Sequence, residues 1–174
     1  MDDQQAAGGG PVDAPATAAI RTAVQTVEPG WIDYNGHMNV AYYTLAFDRA
    51  LDEVYERLGI GPGLVARARM GPMALQTQIH YLAELLEGER FYCEAVVLDG
   101  DAKRCHSVMT MLAAETGTTA AVYETLSMNV DLRARRSAPY PAAEAARLAA
   151  QVAAHAGLPR PPQVGRTIGI RRRP

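Results

Sequence analysis

Asp33, Asn35, Gly36, His37 and Asn39 stand together in the stretch WIDYNGHMN, residues 31–39. A carboxylate in a polar turn can act as a general base for water or attack an electrophilic carbon directly, and Asp33 is open to both routes. Asn35-Gly36 makes the turn tight, and glycine lets a substrate approach the backbone closely. From Val40 onward the pattern becomes helical. The turn therefore empties into a helix N-terminus, where backbone N–H groups lack partners and carry partial positive charge. Amides near Gly36, Met38 and Asn39 would then stabilise the charge that develops on an acyl oxygen under attack.

The same residues admit other roles. An aspartate before Asn-Gly is an ordinary turn residue, and Asn39 is a plausible helix N-cap. His37 fits a general base, a partner orienting Asp33 or Asn35, or a plain loop histidine. Asp48, one turn after Thr44 on the following helix, is a rival acid, although beside Arg49 and Asp52 it also reads as a solvated or ion-paired residue. His80, His106 and His155 lack ligand spacing and read as structural or surface residues; no metal site is expected.

The elements that must hold the turn follow from periodicity. Val40, Tyr43, Phe47, Ala50, Leu51, Val54 and Leu58 recur every three or four residues, which predicts an amphipathic helix over 40–58, capped by Asn39 and stopped by Gly59. Its stripe demands a large apolar surface. Ile20–Ile32 is a short β-like run broken by Pro29-Gly30, and GIGPGLVARARMGP after the helix reads as irregular connection. Four strand-like runs follow: Met73–Ala83, Glu89–Leu98, Lys103–Ala113 and Thr119–Leu132. Asp99-Gly100 is a hairpin signal, and the short glycine-containing turns imply an antiparallel meander. With a two-residue turn there, Cys93 and Cys105 point to opposite faces and do not pair. Pro141–Ala156 predicts a second, alanine-rich helix with Pro141 at its start and Gly157 at its end. One long helix wrapped by a single antiparallel sheet is an α+β hotdog arrangement. The divisions are a disordered segment 1–19, a core domain 20–140, and a C-terminal helix with a Pro/Arg-rich tail, 141–174.

Bulk properties narrow the function class. The 174-residue chain is 48% hydrophobic and 21% charged, with net charge −2, the profile of one soluble globular domain. That balance gives no case for nucleic acid as a partner, and Arg171–Arg173 reads as a disordered tail. The N-terminus lacks the basic and apolar regions of a signal peptide. No apolar run reaches the ~18–20 residues of a membrane span. Cytoplasmic location, with two reduced, buried cysteines, is the expectation.

The pattern Asp33-x-Asn35-Gly36-His37-x-Asn39, followed by Tyr42-Tyr43 and Phe47-Asp48, resembles the 4-hydroxybenzoyl-CoA thioesterase-like hotdog hydrolases. WIDYNGHMNVAYYTLAFDRA, HYLAELLEGE, DGDAKRCH and LPRPPQVGRTIGI are similar to its betainyl-CoA thioesterase branch. The resemblance implies an acyl-CoA thioesterase with no metal or redox cofactor, coenzyme A entering only as part of the substrate. It implies a homodimer or homotetramer with the substrate between subunits. By position, Asp33 matches the catalytic acid and Asn35 and His37 its polar support. For a trimethylammonium acyl group, Trp31, Tyr34, Tyr42 and Tyr43 would supply an aromatic cage, with Tyr81 from the partner subunit; the alternative is core packing, above all for Tyr43 and Phe47. Lys103, Arg104, Arg133 and Arg135 are candidates for the CoA phosphates. Two other functions fit the fold: a hydratase/dehydratase of 3-hydroxyacyl thioesters using Asp33 and His37, and a non-catalytic acyl-CoA-binding regulator.

Overall fold

The 40–58 stripe fixes the architecture, because it can be buried only against an extended apolar sheet. The structure, a computed structural model, describes residues 15–170. Two short strands, β1 (Ile20–Arg21) and β2 (Gln25–Thr26), lead through a 3-10 turn at Pro29–Trp31 to helix α1 (Val40–Leu58). Helix α2 (Pro62–Ala68), strands β3 (Met70–Tyr81), β4 (Arg90–Gly100), β5 (Arg104–Ala113), β6 (Thr119–Asp131) and β7 (Arg136–Ser137), and helix α3 (Ala142–His155) follow.

Helix α1 has the predicted bounds. The Asn39 side chain accepts the Ala41 N–H, and Gly59 ends the helix in the left-handed region at φ 75°. The left-handed backbone favours glycine here, and a Cβ at this position would also displace the end of the Arg147 side chain. Tyr43, Ala46, Phe47, Ala50, Leu51, Val54, Tyr55 and Leu58 are buried against the sheet, whereas Val40, predicted in the stripe, is 56% exposed. Phe47 is fully buried, stacked on Tyr123 of β6 at 4.9 Å. Burying a side chain of this size contributes ~1.5–3 kcal/mol by surface removal alone.

The sheet is antiparallel, in the order β1-β4-β5-β6-β3. The expected simple meander holds for β4-β5-β6 only. Strand β3 pairs with β6 rather than with β4. Residues 82–89 carry the chain across the end of the sheet, anchored by buried Leu85, and their length and core contact rule out a tight hairpin.

Two further expectations are corrected. Asp99-Gly100 is not the hairpin tip: β4 runs through it after a bulge between Val97 and Asp99. The turn lies at 101–103, where the Asp101 carboxylate accepts the N–H groups of Lys103 and Arg104 at 2.8 and 2.7 Å. The bulge resets the alternation, so Cys93 and Cys105 share the helix-facing core instead of lying on opposite faces. Both are free, and burial pushes each thiol up to about 12. The segment after Gly59, expected to be irregular, contains α2. Pro62 starts it, the Glu56 carboxylate accepts the Gly63 N–H at 2.8 Å, and Leu64 is buried.

Helix α3 and the chain ends close the remaining surfaces. His155 is buried: its Nδ1 accepts the Val97 N–H at 2.9 Å and its Nε2 faces the Ala18 carbonyl at 3.1 Å. Burial lowers its pKa, which keeps the neutral ring these two bonds require. Gln151 brackets Ala16 with two hydrogen bonds. Residues 15–19, inside the segment expected to be disordered, are thus packed on α3, while 1–14 and Arg171–Arg173 lie outside the described residues. Leu158 and Val164 cover the outer sheet face over Val96, Leu98, Val108 and Val122.

Because Phe47 is the most enclosed large side chain joining α1 to the sheet, Phe47→Ala should destabilise the protein by about 3–5 kcal/mol. Urea unfolding measures this. A loss below ~1 kcal/mol would mean that the helix-sheet core tolerates the cavity and that this contact does not set stability.

Candidate active site

The 31–39 loop is a small closed circuit of backbone bonds. Asp33 N–H donates to the His37 carbonyl at 3.1 Å, and Gly36 N–H to the Asp33 carbonyl at 2.9 Å. Gly36 sits at φ 83°, a conformation that L side chains rarely adopt. Asn39 N–H donates to Trp31, and Met38 N–H reaches across to Leu85 at 2.8 Å. Met38 is 1% exposed, so it is a core anchor beneath the loop.

Within this frame the half-buried Asp33 carboxylate is held at both oxygens. Oδ1 accepts the Asn35 N–H at 2.7 Å, and Oδ2 accepts from Asn39 Nδ2 at 3.1 Å. The other end of the Asn39 amide, Oδ1, accepts the Ala41 N–H at 2.9 Å. Asn39 is therefore cap and carboxylate holder at once. His37 does not orient Asp33 through its ring: Nδ1 lies 3.2 Å from the Met38 carbonyl, and only the His37 backbone carbonyl meets Asp33. Asn35 is exposed and acts through its amide.

The three amides named as oxyanion donors are already taken, and two neighbouring ones are open instead. The amides of Gly36, Met38 and Asn39 are spent on the scaffold. Those of His37 and Val40 have no acceptor among the described residues, and both residues line a groove beside the loop. This groove, about 380 Å³, is bounded by His37, Met38, Val40, Tyr43, Tyr81, Leu82, Ala83 and Glu84. Its volume suits the reacting end of a substrate better than a whole cofactor-sized molecule.

The four rings of the expected cage do not gather around one space. Trp31 is buried, stacked on Tyr42 at 5.4 Å and tilted against Phe91, with the Arg49 guanidinium 5.7 Å over its ring. Tyr34 is 95% exposed. Tyr43 alone of the four lines the groove, in an edge-to-face pair at 5.2 Å with Tyr81 of its own chain. Burial pushes the Tyr43 phenol up to about 12, and Tyr81, Glu84 and Glu89 add to the shift. Leu82, Ala83 and Glu84 were not singled out from the sequence. They reach the groove only because Met38 bonds to Leu85, and residues this far apart in the chain leave no periodic signal for such a bond.

The basic candidates lie at the other end of the sheet. Lys103 and Arg104 adjoin the β4–β5 turn, with Arg104 pairing bidentately with Asp101 at 2.8 and 2.6 Å, which holds that carboxyl down to about 2. Arg133 and Arg135 are exposed in the β6–β7 turn. The loop sits instead where Tyr81 pairs with Ala121 and Phe91 with Ala113. A ten-residue strand spans ~33 Å, so these cations and Asp33 do not share a site within one chain. Asp48 is exposed on α1, where its charge and that of Glu56 help burial to raise the pKa of Asp52.

A single antiparallel sheet wrapped around α1, with a polar loop at the helix start, defines the hotdog fold of thioesterases. Residues 27–151 match the thioesterase-like superfamily. The chain is 33% identical over 152 residues to a betainyl-CoA thioesterase of Pseudomonas aeruginosa, covering 87% of this chain and 96% of that one. It is 31% identical over 157 residues to an L-carnitine dehydrogenase/betainyl-CoA thioesterase of Rhizobium meliloti, covering 90% of this chain but 32% of that longer one. Among solved structures, a Staphylococcus aureus protein in complex with CoA superposes with TM-score 0.80 and 27% identity, covering 90% of this chain and 99% of its own. A putative thioesterase of Pseudomonas putida gives TM-score 0.76 and 32% identity, covering 88% and 98%. The chain belongs to the thioesterase-like superfamily and is a thioester hydrolase. No helix among the described residues is long and apolar enough to cross a membrane. No group of three or more His, Cys, Asp or Glu is placed to hold a metal among them.

Asn39→Ser separates the two duties of the Asn39 amide. Serine still caps the helix, so stability should change by no more than ~0.5 kcal/mol, while turnover should fall about tenfold or more as the carboxylate loses its holder. Thermal unfolding and thioester hydrolysis on the same preparation decide it. An equally stable, fully active variant would mean that Asn39 only caps.

Proposed function

We propose that the protein hydrolyses acyl-CoA thioesters, with Asp33 as general base or nucleophile and the His37 and Val40 amides as oxyanion donors. The observation that carries this is the Asp33 carboxylate, fixed by Asn35 and Asn39 beside a helix start that borders a groove. CoA thiolate is a good leaving group, so no strong general acid is required. A betainyl group is the acyl moiety that the curated relatives suggest. The hydratase reading needs a coupled His-carboxylate pair, and the His37 ring bonds to Met38 instead.

The active unit is proposed to be a dimer formed along β3. This twelve-residue strand is the sheet's edge, with Met73 and Leu75 43% and 50% exposed. A long apolar edge of this kind is a template for pairing. Two copies paired antiparallel about a two-fold place the Met70 end of one beside the Tyr81 end of the other. Arg133 and Arg135, which adjoin the Met70 end through its pairing with Asp131, then come from the partner subunit to the groove and can meet the CoA phosphates.

A thiol-release assay over a panel of acyl-CoAs tests the chemistry. Asp33→Asn should lose at least ~10²-fold in kcat with its circular dichroism unchanged, while Asp48→Asn should retain activity. Full activity in Asp33→Asn with a dead Asp48→Asn would reassign the acid. Alkene absorbance without thiol release would favour the hydratase. Light scattering tests the assembly, since a fully active monomer would remove the dimer.

A further inference from the structure

The groove beside the 31–39 loop, which His37 and Met38 line and Asp33 does not, has an unusual lining for a protein that handles anionic CoA. Tyr81 is 48% exposed and meets the Tyr43 ring edge-on at 83°, giving a fixed aromatic corner. The Tyr43 hydroxyl donates to the Ala83 carbonyl at 3.3 Å, which ties that corner to the backbone carrying Glu84. Glu84 is exposed at the rim, and no lysine or arginine is among the described lining residues. The rest of the surface is His37, at the end nearest the loop, and the apolar faces of Met38, Val40, Leu82 and Ala83. An aromatic corner, a carboxylate with no lysine or arginine of its own chain in the lining and an apolar floor are the combination that holds a compact, weakly hydrated cation. They would repel a carboxylate-bearing acyl group.

We propose that Glu84 is the specificity-determining residue of this site and that, with Tyr43 and Tyr81, it selects acyl groups ending in a small quaternary ammonium. The assignment rests on the thioesterase reading above; it keeps Tyr43 of α1 and replaces Trp31, Tyr34 and Tyr42 with Tyr81, the last residue of β3, and Glu84 of the β3–β4 connection. The cation sits in the groove, its thioester carbon towards the His37 and Val40 amides. The CoA portion leaves towards the partner's basic end, so the two ends of the substrate meet opposite charges.

The test pairs betainyl-CoA with 3,3-dimethylbutanoyl-CoA, which has the same shape with carbon in place of the charged nitrogen. Wild-type enzyme should prefer the cationic thioester in kcat/KM by about tenfold or more, and Glu84→Gln should reduce that ratio about tenfold. Tyr81→Leu should reduce it in the same direction. A ratio that Glu84→Gln leaves unchanged, or a wild-type preference for the neutral thioester, overturns the proposal. Hydrolysis of neither thioester would count against the thioesterase reading instead. The subsite is then read by calorimetry with the two non-cleavable thioether analogues of CoA. Tighter binding of the cationic analogue, lost in Glu84→Gln, supports it, and equal affinities in wild type overturn it.

Discussion

One side-chain amide joins the fold to the carboxylate proposed to do the chemistry. Asn39 Oδ1 caps the first turn of α1 and Asn39 Nδ2 holds the Asp33 carboxylate. The carboxylate is thereby tied to the helix whose burial organises the whole core. Any shift of α1 against the sheet would move Asp33 with it, and any slack in the loop would loosen the cap. The Met38–Leu85 bond completes the constraint by fastening the loop to the segment that crosses the sheet end. Rigid placement of this kind is what makes a carboxylate useful, because reacting groups must be held within a fraction of an ångström.

The distribution of charge gives the fold its polarity. Glu84 and Glu89 lie near Tyr43 at the loop end, with Asp33 in the loop itself, and Arg133, Arg135 and Arg136 gather at the β6–β7 turn. A single chain keeps the two ends a sheet's length apart. Under the proposed β3 pairing they are brought together, so that a substrate with an anionic handle and a cationic head would bridge two copies. The exposed edge of β3 then has a purpose that a monomeric protein would have to defend against.

The parts of this structure that local rules govern were legible in the sequence. Helix α1 was readable to the residue because its stripe, its Asn39 cap and its Gly59 stop all agree, and the Asp33–Asn39 cluster announced itself through unusual residue types in a short turn. Non-local events were hidden. The bulge after Val97 inverted the expected faces of the cysteines, and β3 chose β6 because the 82–89 crossing has its own buried anchor. The aromatic cage failed for a related reason: Trp31 and Tyr42 are drawn into stacking with each other and Phe91, a pull that sequence proximity to the loop does not reveal. Glu84 was missed because it reaches the groove through a bond between residues 38 and 85.

Asp33, held by the residue that caps α1, is proposed to be the group that meets the thioester carbon. A crystal structure with a non-cleavable thioether analogue of an acyl-CoA tests it most directly. The carbon in place of the carbonyl should lie within about 3.5 Å of Asp33 or of a water bound to it, in a groove closed by a second copy across β3. An analogue whose reacting carbon lies against Asp48, with Asp33 facing solvent, would contradict it.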